Sequence, residues 1–374
     1  MKKLGYLLFA FFFNLFRIFP VKKDTVLLFN GHNRGLNGNL LEIKKAIEKR
    51  LPQVQCIYMG KRDLFLAAGF GKITAALRFF VLCPYRMART ETIFLNDNFL
   101  PLGYMHLSKK TRVVQLWHGA GAFKKFGLST EENPKVIQSV RKANKKITHL
   151  FVTSKQVIPF YQEAFSVSSD RIFATGIPVT DSYFRKEALD AGKERFYKQY
   201  PQWRDKKILL YTPTFRRTKE ENETILSEFC IEKIHQILGE EWILLIRMHP
   251  KFPMENIMEN SYCYNMTDYT DINDLYTVSD LLVTDYSSTV VEYVLLDKPV
   301  LLYAYDLSEY DRGFYRDYTK YAPGKIALCQ EEFLQELKND WKEDQKRHDF
   351  VKLQYDYKDG ESSNRILDIL YPAS

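Results

Sequence analysis

Four short segments of this 374-residue chain combine residue types at spacings that suit chemistry on a phosphorylated substrate. In residues 281–296, LLVTDYSSTVVEYVLL, an apolar strand breaks into an apolar-periodic helix with two serines at the junction. The hydroxyls of Ser287 and Ser288 and the open backbone N–H groups of a helix start converge at the positive end of the helix dipole, which suits phosphate. Glu292, four residues past Ser288, stands about one turn deeper, where a carboxylate can accept hydrogen bonds from ribose hydroxyls. The competing reading is a plain helix cap by Asp285 or Ser287.

In residues 113–127, VVQLWHGAGAFKKFG, a strand ends at His118, a turn with Gly119 follows, and Lys124 and Lys125 come next. A histidine titrates near neutrality and can take a proton from an attacking hydroxyl, while lysines beside it hold phosphate. The alternative is a buried histidine bonded to a carbonyl, with surface lysines. In residues 242–251, WILLIRMHPK, a hydrophobic strand delivers Arg247 and His249 on one face and Pro250 stops it. Such a pair can stabilise a phosphoryl oxygen as charge develops. In YTPTFRR, residues 211–217, Thr212 and Thr214 offer hydroxyls and Arg216 a planar fork for phosphate, or else a helix-starting turn with solvated arginines.

Absences narrow the chemistry. There is no GxGxxG, GxxxxGK[ST], HExxH or GxSxG segment. No acidic cluster reads as a metal site, since Asp268, Asp271 and Asp274 are spaced like helix caps; Asn96-Asp97-Asn98 after a strand is ambiguous. Neither a metal nor a cofactor is expected, so phosphate charge falls to arginines, histidines and a helix start.

These residues need a scaffold. Apolar runs at 25–29, 55–59, 92–95, 112–116, 149–152 and 171–174 read as strands of a first half; those at 207–211, 242–247, 281–284 and 299–303 read as strands of a second. Helical segments at 40–50, 133–145, 156–165, 225–238 and 272–279 alternate with them, the last with a capping-box-like start at Asp271 and Asp274. Strand–helix alternation makes this an α/β chain of two doubly wound parallel-sheet domains facing a cleft, with ligands at the carboxyl ends of the strands. The expected divisions are 1–22, 23–190 and 191–374, with the polar stretch 184–205 as the linker and a charged, solvated helical segment at 331–371.

The net charge of +8 calls for an anionic partner, and no zinc-finger, RRM or helix-turn-helix signature makes that partner nucleic acid. Five scattered cysteines without a CxxC pair point to a reducing compartment. Residues 4–20, LGYLLFAFFFNLFRIFP, lie between Lys2-Lys3 and Lys22-Lys23, with Asn14 and Arg17 inside the run. No small-residue cleavage site follows, and the run is short for a spanning helix. A helix in the cytoplasmic membrane interface, its lysines meeting anionic lipid, fits, against the alternative of a buried first helix. The apolar-basic stretch 64–89 would extend the same surface.

Together these blocks resemble the CDP-glycerol glycerophosphotransferase family of teichoic acid synthesis. The resemblance runs from about residue 25 to 318 and rests on QLWHGAGAFKKFGL, TGIPVTDSYF, YTPTFR, RMHP, DINDLYTVSDLLVTDYSS and YAYDLSEYDRGFY, in that order. It implies a GT-B-like fold of two Rossmann-type domains, peripheral or monotopic association with the cytoplasmic face of the membrane, and transfer of glycerol phosphate from CDP-glycerol with release of CMP. The WHGAGAFKKFG loop is closer to the primase branch, whose acceptor is an undecaprenyl-diphosphate-linked disaccharide, N-acetylmannosaminyl-N-acetylglucosamine. Under that resemblance His118 is the base for the acceptor hydroxyl, with Asp97 as its rival. His249, Arg247 and Arg216 would bind the donor diphosphate, Ser287 and Ser288 phosphate, and Glu292 the ribose; Asp306 and Arg312 are secondary candidates. Polymerase or ribitol-phosphate activity, a nucleotide-sugar glycosyltransferase on the same fold, and a non-catalytic membrane scaffold are the competing readings.

Overall fold

Among the described residues twelve parallel strands, six to a sheet, carry the loops in question. The computed structural model describes residues 2–31, 35–60, 71–249, 260–339, 341 and 345–372. The chain forms two compact units, Met1–Asp181 with Tyr355–Ser374, and Ser182–Gln354.

In the first unit, β1 (Lys22–Phe29), β2 (Gln55–Met59), β3 (Thr90–Leu95), β4 (Arg112–Gln115), β5 (His149–Val152) and β6 (Ile172–Ala174) pair in the order β2-β1-β3-β4-β5-β6. The order reverses between β1 and β3, which makes their carboxyl ends a switch point open to a ligand. Near-continuous apolar runs suit strands covered on both faces; Val26, Leu28, Phe94, Val114 and Phe151 are all at 0% exposure.

In the second unit, β7 (Lys207–Thr212), β8 (Trp242–Ile246), β9 (Cys263–Asn265), β10 (Leu281–Thr284), β11 (Val300–Tyr303) and β12 (Lys325–Ala327) pair in the order β12-β11-β10-β7-β8-β9. Here the switch point lies between β7 and β10. Every strand expected from the sequence is present to within a few residues. The three-residue strands β9 and β12 were not foreseen, because each sits at a sheet edge and is too short to show a period.

Several expectations are corrected. The stretch 184–205 is no linker: it holds helix Lys186–Gln199. Arg195 of that helix grips Asp274 with two bonds of 2.6 and 3.0 Å. Asp274 is therefore a buried ion-pair partner, while Asp271 alone caps helix Ile272–Val278, through Asn273 N at 3.0 Å. The helix expected at 225–238 breaks at Cys230, whose φ of 50° is left-handed, into Lys219–Phe229 and Ile231–Leu238.

The chain end is not one solvated segment either. After helices Gln330–Glu336 and Gln345–Gln354, helix Ser362–Leu370 returns to the first unit rather than staying with residues 191–374. Ile366, Leu367 and Leu370 pack into the core around Leu28, Phe94 and Val114. Asp181 accepts from Ser362 N at 2.8 Å, Ser363 N at 2.9 Å and Ser363 Oγ at 2.6 Å, so a buried carboxylate caps the returning helix.

Helix Lys2–Phe16 buries Phe9, Ala10 and Phe13, yet Leu4 (71% exposed), Phe11 (61%) and, just beyond it, Ile18 (77%) stand open. One apolar face is packed and the other is open, so the helix is not wholly buried within this chain. No helix among the described residues is long and apolar enough to cross a membrane. Of the stretch 64–89, residues 64–70 lie outside the described residues; helix Gly71–Leu77 follows, with Ile73 and Leu77 exposed.

Candidate active site

In the first unit, β3 and β4 deliver Asp97 and His118 from adjacent loops. His118 Nδ1 lies 2.9 Å from Asp97 Oδ1. The carboxylate is buried and the imidazole half-exposed. An acceptor at Nδ1 places that ring proton toward Asp97 and leaves Nε2 with its lone pair, the arrangement of an oriented general base. The sequence set Asp97 and His118 against each other as rivals; the geometry makes them partners.

Four residues that the sequence pattern did not single out, Gln115, Trp117, Asn39 and Tyr161, build the turn around this pair. Gln115, 1% exposed at the end of β4, donates from Nε2 to Asp97 O at 3.2 Å and accepts from Trp117 N at 2.9 Å. Trp117 has a φ of 60°, an outlier for a bulky residue that costs about 1–3 kcal/mol. Buried Asn39 fixes that turn, donating to Trp117 O at 2.9 Å while accepting from Val179 N at 2.8 Å. Tyr161 reaches the next residues, its hydroxyl 3.2 Å from Gly119 O and 3.0 Å from Gly121 O. A polar Gln inside the apolar run VVQLW was the available signal. Gly119 has open space at its Cβ position, with nothing nearer than Trp117 at 4.0 Å. Lys124 and Lys125 follow in the same loop, partly buried.

In the second unit, loops after β7, β10 and β11 are tied by one buried cation. Arg216 donates from Nε to Asp306 Oδ2 at 2.6 Å and from one terminal nitrogen to Asp306 Oδ1 at 3.0 Å and Asp285 Oδ2 at 2.9 Å; the other bonds Thr214 O. Its side chain is 9% exposed. Burial pulls its pKa down, but Asp285 and then Asp306 outweigh that and hold it above its ordinary value. Arg216 thus neutralises two carboxylates, and the free phosphate fork expected from the sequence is not what it presents. Asp285 also accepts from Thr214 N at 2.8 Å, and Tyr286 donates its hydroxyl to Asp306 at 2.9 Å. Asp285 and Asp306 are therefore structural carboxylates of this hub. Thr214 is buried, and its Oγ has no hydrogen-bond partner among the described residues.

Arg247, just past β8, differs. Its guanidinium bonds only the carbonyls of Tyr269 (2.6 Å) and Met266 (3.3 Å) among the described residues. Burial lowers its pKa, which Tyr276, Asp271 and Asp268 partly offset. A desolvated cation without a bonded carboxylate is the better anion-binding candidate. His249 is exposed beside it in sequence, its ring 4.6 Å from Phe215, over which Arg312 lies at 5.8 Å.

The serine junction forms only a short helix, Thr289–Tyr293. Ser287 Oγ accepts from Thr289 N at 3.4 Å, and Ser288 is exposed at the turn. Glu292 takes a hydrogen bond from Tyr183, at 2.9 Å. Burial pushes the Glu292 carboxyl above its ordinary value, Tyr183 opposes, and Asp271 adds to the rise. Because folding raises this pKa, ionised Glu292 costs stability, a cost absent below about pH 4 and complete above the folded value. Glu292→Gln is therefore expected to gain thermal stability over wild type as pH rises from about 4 to 8. A Gln variant that loses stability over that range would show the carboxylate to be structurally favourable.

A family profile described as "CDP-Glycerol:Poly(glycerophosphate) glycerophosphotransferase" matches residues 11–371. A teichoic acid poly(ribitol-phosphate) polymerase of Bacillus spizizenii is 30% identical over 99% of this chain, which spans 60% of that protein's length. A teichoic acid glycerol-phosphate primase of Bacillus subtilis is 30% identical over 76% of this chain and 74% of its own. In three dimensions, a wall teichoic acid polymerase, TagF, soaked with CDPG superposes with a TM-score of 0.77 at 20% identity, covering 97% of this chain and 92% of that one. That likeness shows the same two-Rossmann, GT-B-like fold. The chain belongs to the CDP-glycerol:poly(glycerophosphate) glycerophosphotransferase family.

Proposed function

We propose that this protein transfers glycerol phosphate from CDP-glycerol to a hydroxyl of an undecaprenyl-diphosphate-linked disaccharide, releasing CMP, as a primase of wall teichoic acid synthesis at the cytoplasmic face of the membrane. The observation that carries the reading is the Asp97–His118 pair at the carboxyl ends of β3 and β4, in which a buried carboxylate orients the imidazole through Nδ1. In the reaction, the acceptor oxygen attacks the glycerol-bearing phosphorus and its proton passes to His118 Nε2. The phosphoanhydride bond to the cytidine side breaks, and CMP leaves with the bonding pair. Phosphoryl transfer of this kind asks for alignment and charge neutralisation more than covalent chemistry. Arg247 and His249 serve the diphosphate, Ser287 and Ser288 a phosphate oxygen, and Glu292 the ribose. Arg216, Asp285 and Asp306 position those loops. Lys124 and Lys125 serve the acceptor side, and Arg312, over the Phe215 ring, completes the donor side.

A second reading, transfer of ribitol phosphate, is favoured by the 30% identity to a poly(ribitol-phosphate) polymerase. Incubation with CDP-glycerol or CDP-ribitol and a synthetic lipid-linked disaccharide, with CMP release and product mass as readouts, separates the two. Product carrying one glycerol phosphate is expected. Many added units would make the protein a polymerase, and turnover of a nucleotide sugar instead would overturn the donor.

A further inference from the structure

A groove of about 660 Å³ opens in the first unit between helix Lys2–Phe16 and the end of helix Pro134–Asn144. Its walls are fixed: Asn14 donates to Tyr104 O at 3.1 Å and accepts from His106 N at 2.8 Å, clasping the first helix to the turn Leu100–Tyr104. One wall is apolar, with Leu7 and Phe11; the other carries Lys142, Lys145 and Lys146, and among the described residues no carboxylate lines the groove. Lys142 Nζ sits 3.9 Å from the Tyr104 ring centroid, a cation–π contact that places its ammonium at the groove. None of the three lysines joins an ion pair among the described residues.

Lysines at a helix end complement its dipole, and that alone would account for Lys142. It does not account for the apolar stripe that flanks them. Leu4, Leu7, Leu8, Phe11 and Leu15 recur at helical spacing and are 40–71% exposed. Apolar side chains in a row beside unpaired cations match a bilayer interface, acyl chains against the stripe and phosphate against the lysines. Without a carboxylate to receive a choline ammonium, the groove complements a net negative headgroup.

We propose that this groove seats the phosphate headgroup of an anionic glycerophospholipid, fixing how the first unit lies on the membrane. The inference rests on the membrane-face part of the reading above and not on its chemistry.

The test is sedimentation of the full chain, without nucleotide, on phosphatidylcholine vesicles with and without phosphatidylglycerol. Each lysine near an anionic surface is worth about fivefold in affinity, so Lys142→Gln/Lys145→Gln/Lys146→Gln is expected to weaken binding to phosphatidylglycerol vesicles about 100-fold. The control Lys186→Gln/Lys193→Gln/Lys198→Gln, on the second unit's helix Lys186–Gln199, is expected to stay within about twofold of wild type. Equal losses in both triples would reduce the effect to net charge and overturn the groove. So would equal wild-type binding to pure phosphatidylcholine, an unaffected groove triple, or displacement by millimolar inorganic phosphate, which would assign the lysines to a soluble anion. Because no turnover is read, failure of the transferase assignment leaves this result standing, and the reverse holds as well.

Discussion

His118→Ala is expected to lower turnover by about a thousandfold while CDP-glycerol still binds. A positioned general base contributes about 10²–10⁴ in rate, and here the base is prepared by the fold. Buried Asp97 orients Nδ1, and the strained Trp117 backbone, held by Gln115 and Asn39, sets where the ring begins. None of this machinery belongs to the loops after β7, β8, β10 and β11, so donor affinity is spared. Asp97→Asn should lower turnover less, because the ring remains in place with a weaker bias on its tautomer. His249→Ala marks the contrast, since loss of a donor-side group depresses binding and turnover together. Steady-state CMP release alongside calorimetric donor binding reads both quantities. Near-normal turnover in His118→Ala, or equal collapse of donor affinity, would remove the base from the mechanism.

Much of this was legible in the chain itself. Long apolar runs such as 242–246 and 281–284 announce buried parallel strands, and His118, Arg247 and Ser287 each follow such a run at the strand's carboxyl end. What stayed hidden depended on contacts distant in sequence. Nothing local says that Asp97 meets His118 across 21 positions, or that Arg216 meets Asp306 across 90. Periodicity likewise cannot show that Ser362–Leu370 crosses back to the first unit, since its charged surroundings imitate a solvated helix; the decisive partner is Asp181, 181 residues earlier. An arginine in YTPTFRR reads as a phosphate fork until two carboxylates are seen to occupy it.

Arg216→Ala is expected to be the most destabilising single change in the second unit. Removing the cation leaves Asp285, 1% exposed, and Asp306 facing each other without a counter-charge, and breaking a buried pair in this way costs about 3–5 kcal/mol. For a unit of this size that is a fall of about 10 °C in its unfolding transition. Lysine does not rescue, because a point charge cannot serve Asp306 through two nitrogens while also reaching Asp285. The sign of the pH dependence follows from the orphaned carboxylates. Burial and mutual repulsion raise their pKa values in the folded variant, so stability is lost as pH rises and the deficit against wild type narrows toward acid. Arg216→Met combined with Asp285→Asn and Asp306→Asn should recover part of the loss, since the two carboxylate charges are gone and only hydrogen bonds to the loops are weakened. Thermal unfolding of the full chain at neutral and at acid pH decides it. A shift of under about 2 °C for Arg216→Ala would mean that water already screens the pair, and that the loops after β7, β10 and β11 are held by packing around Tyr286 rather than by charge.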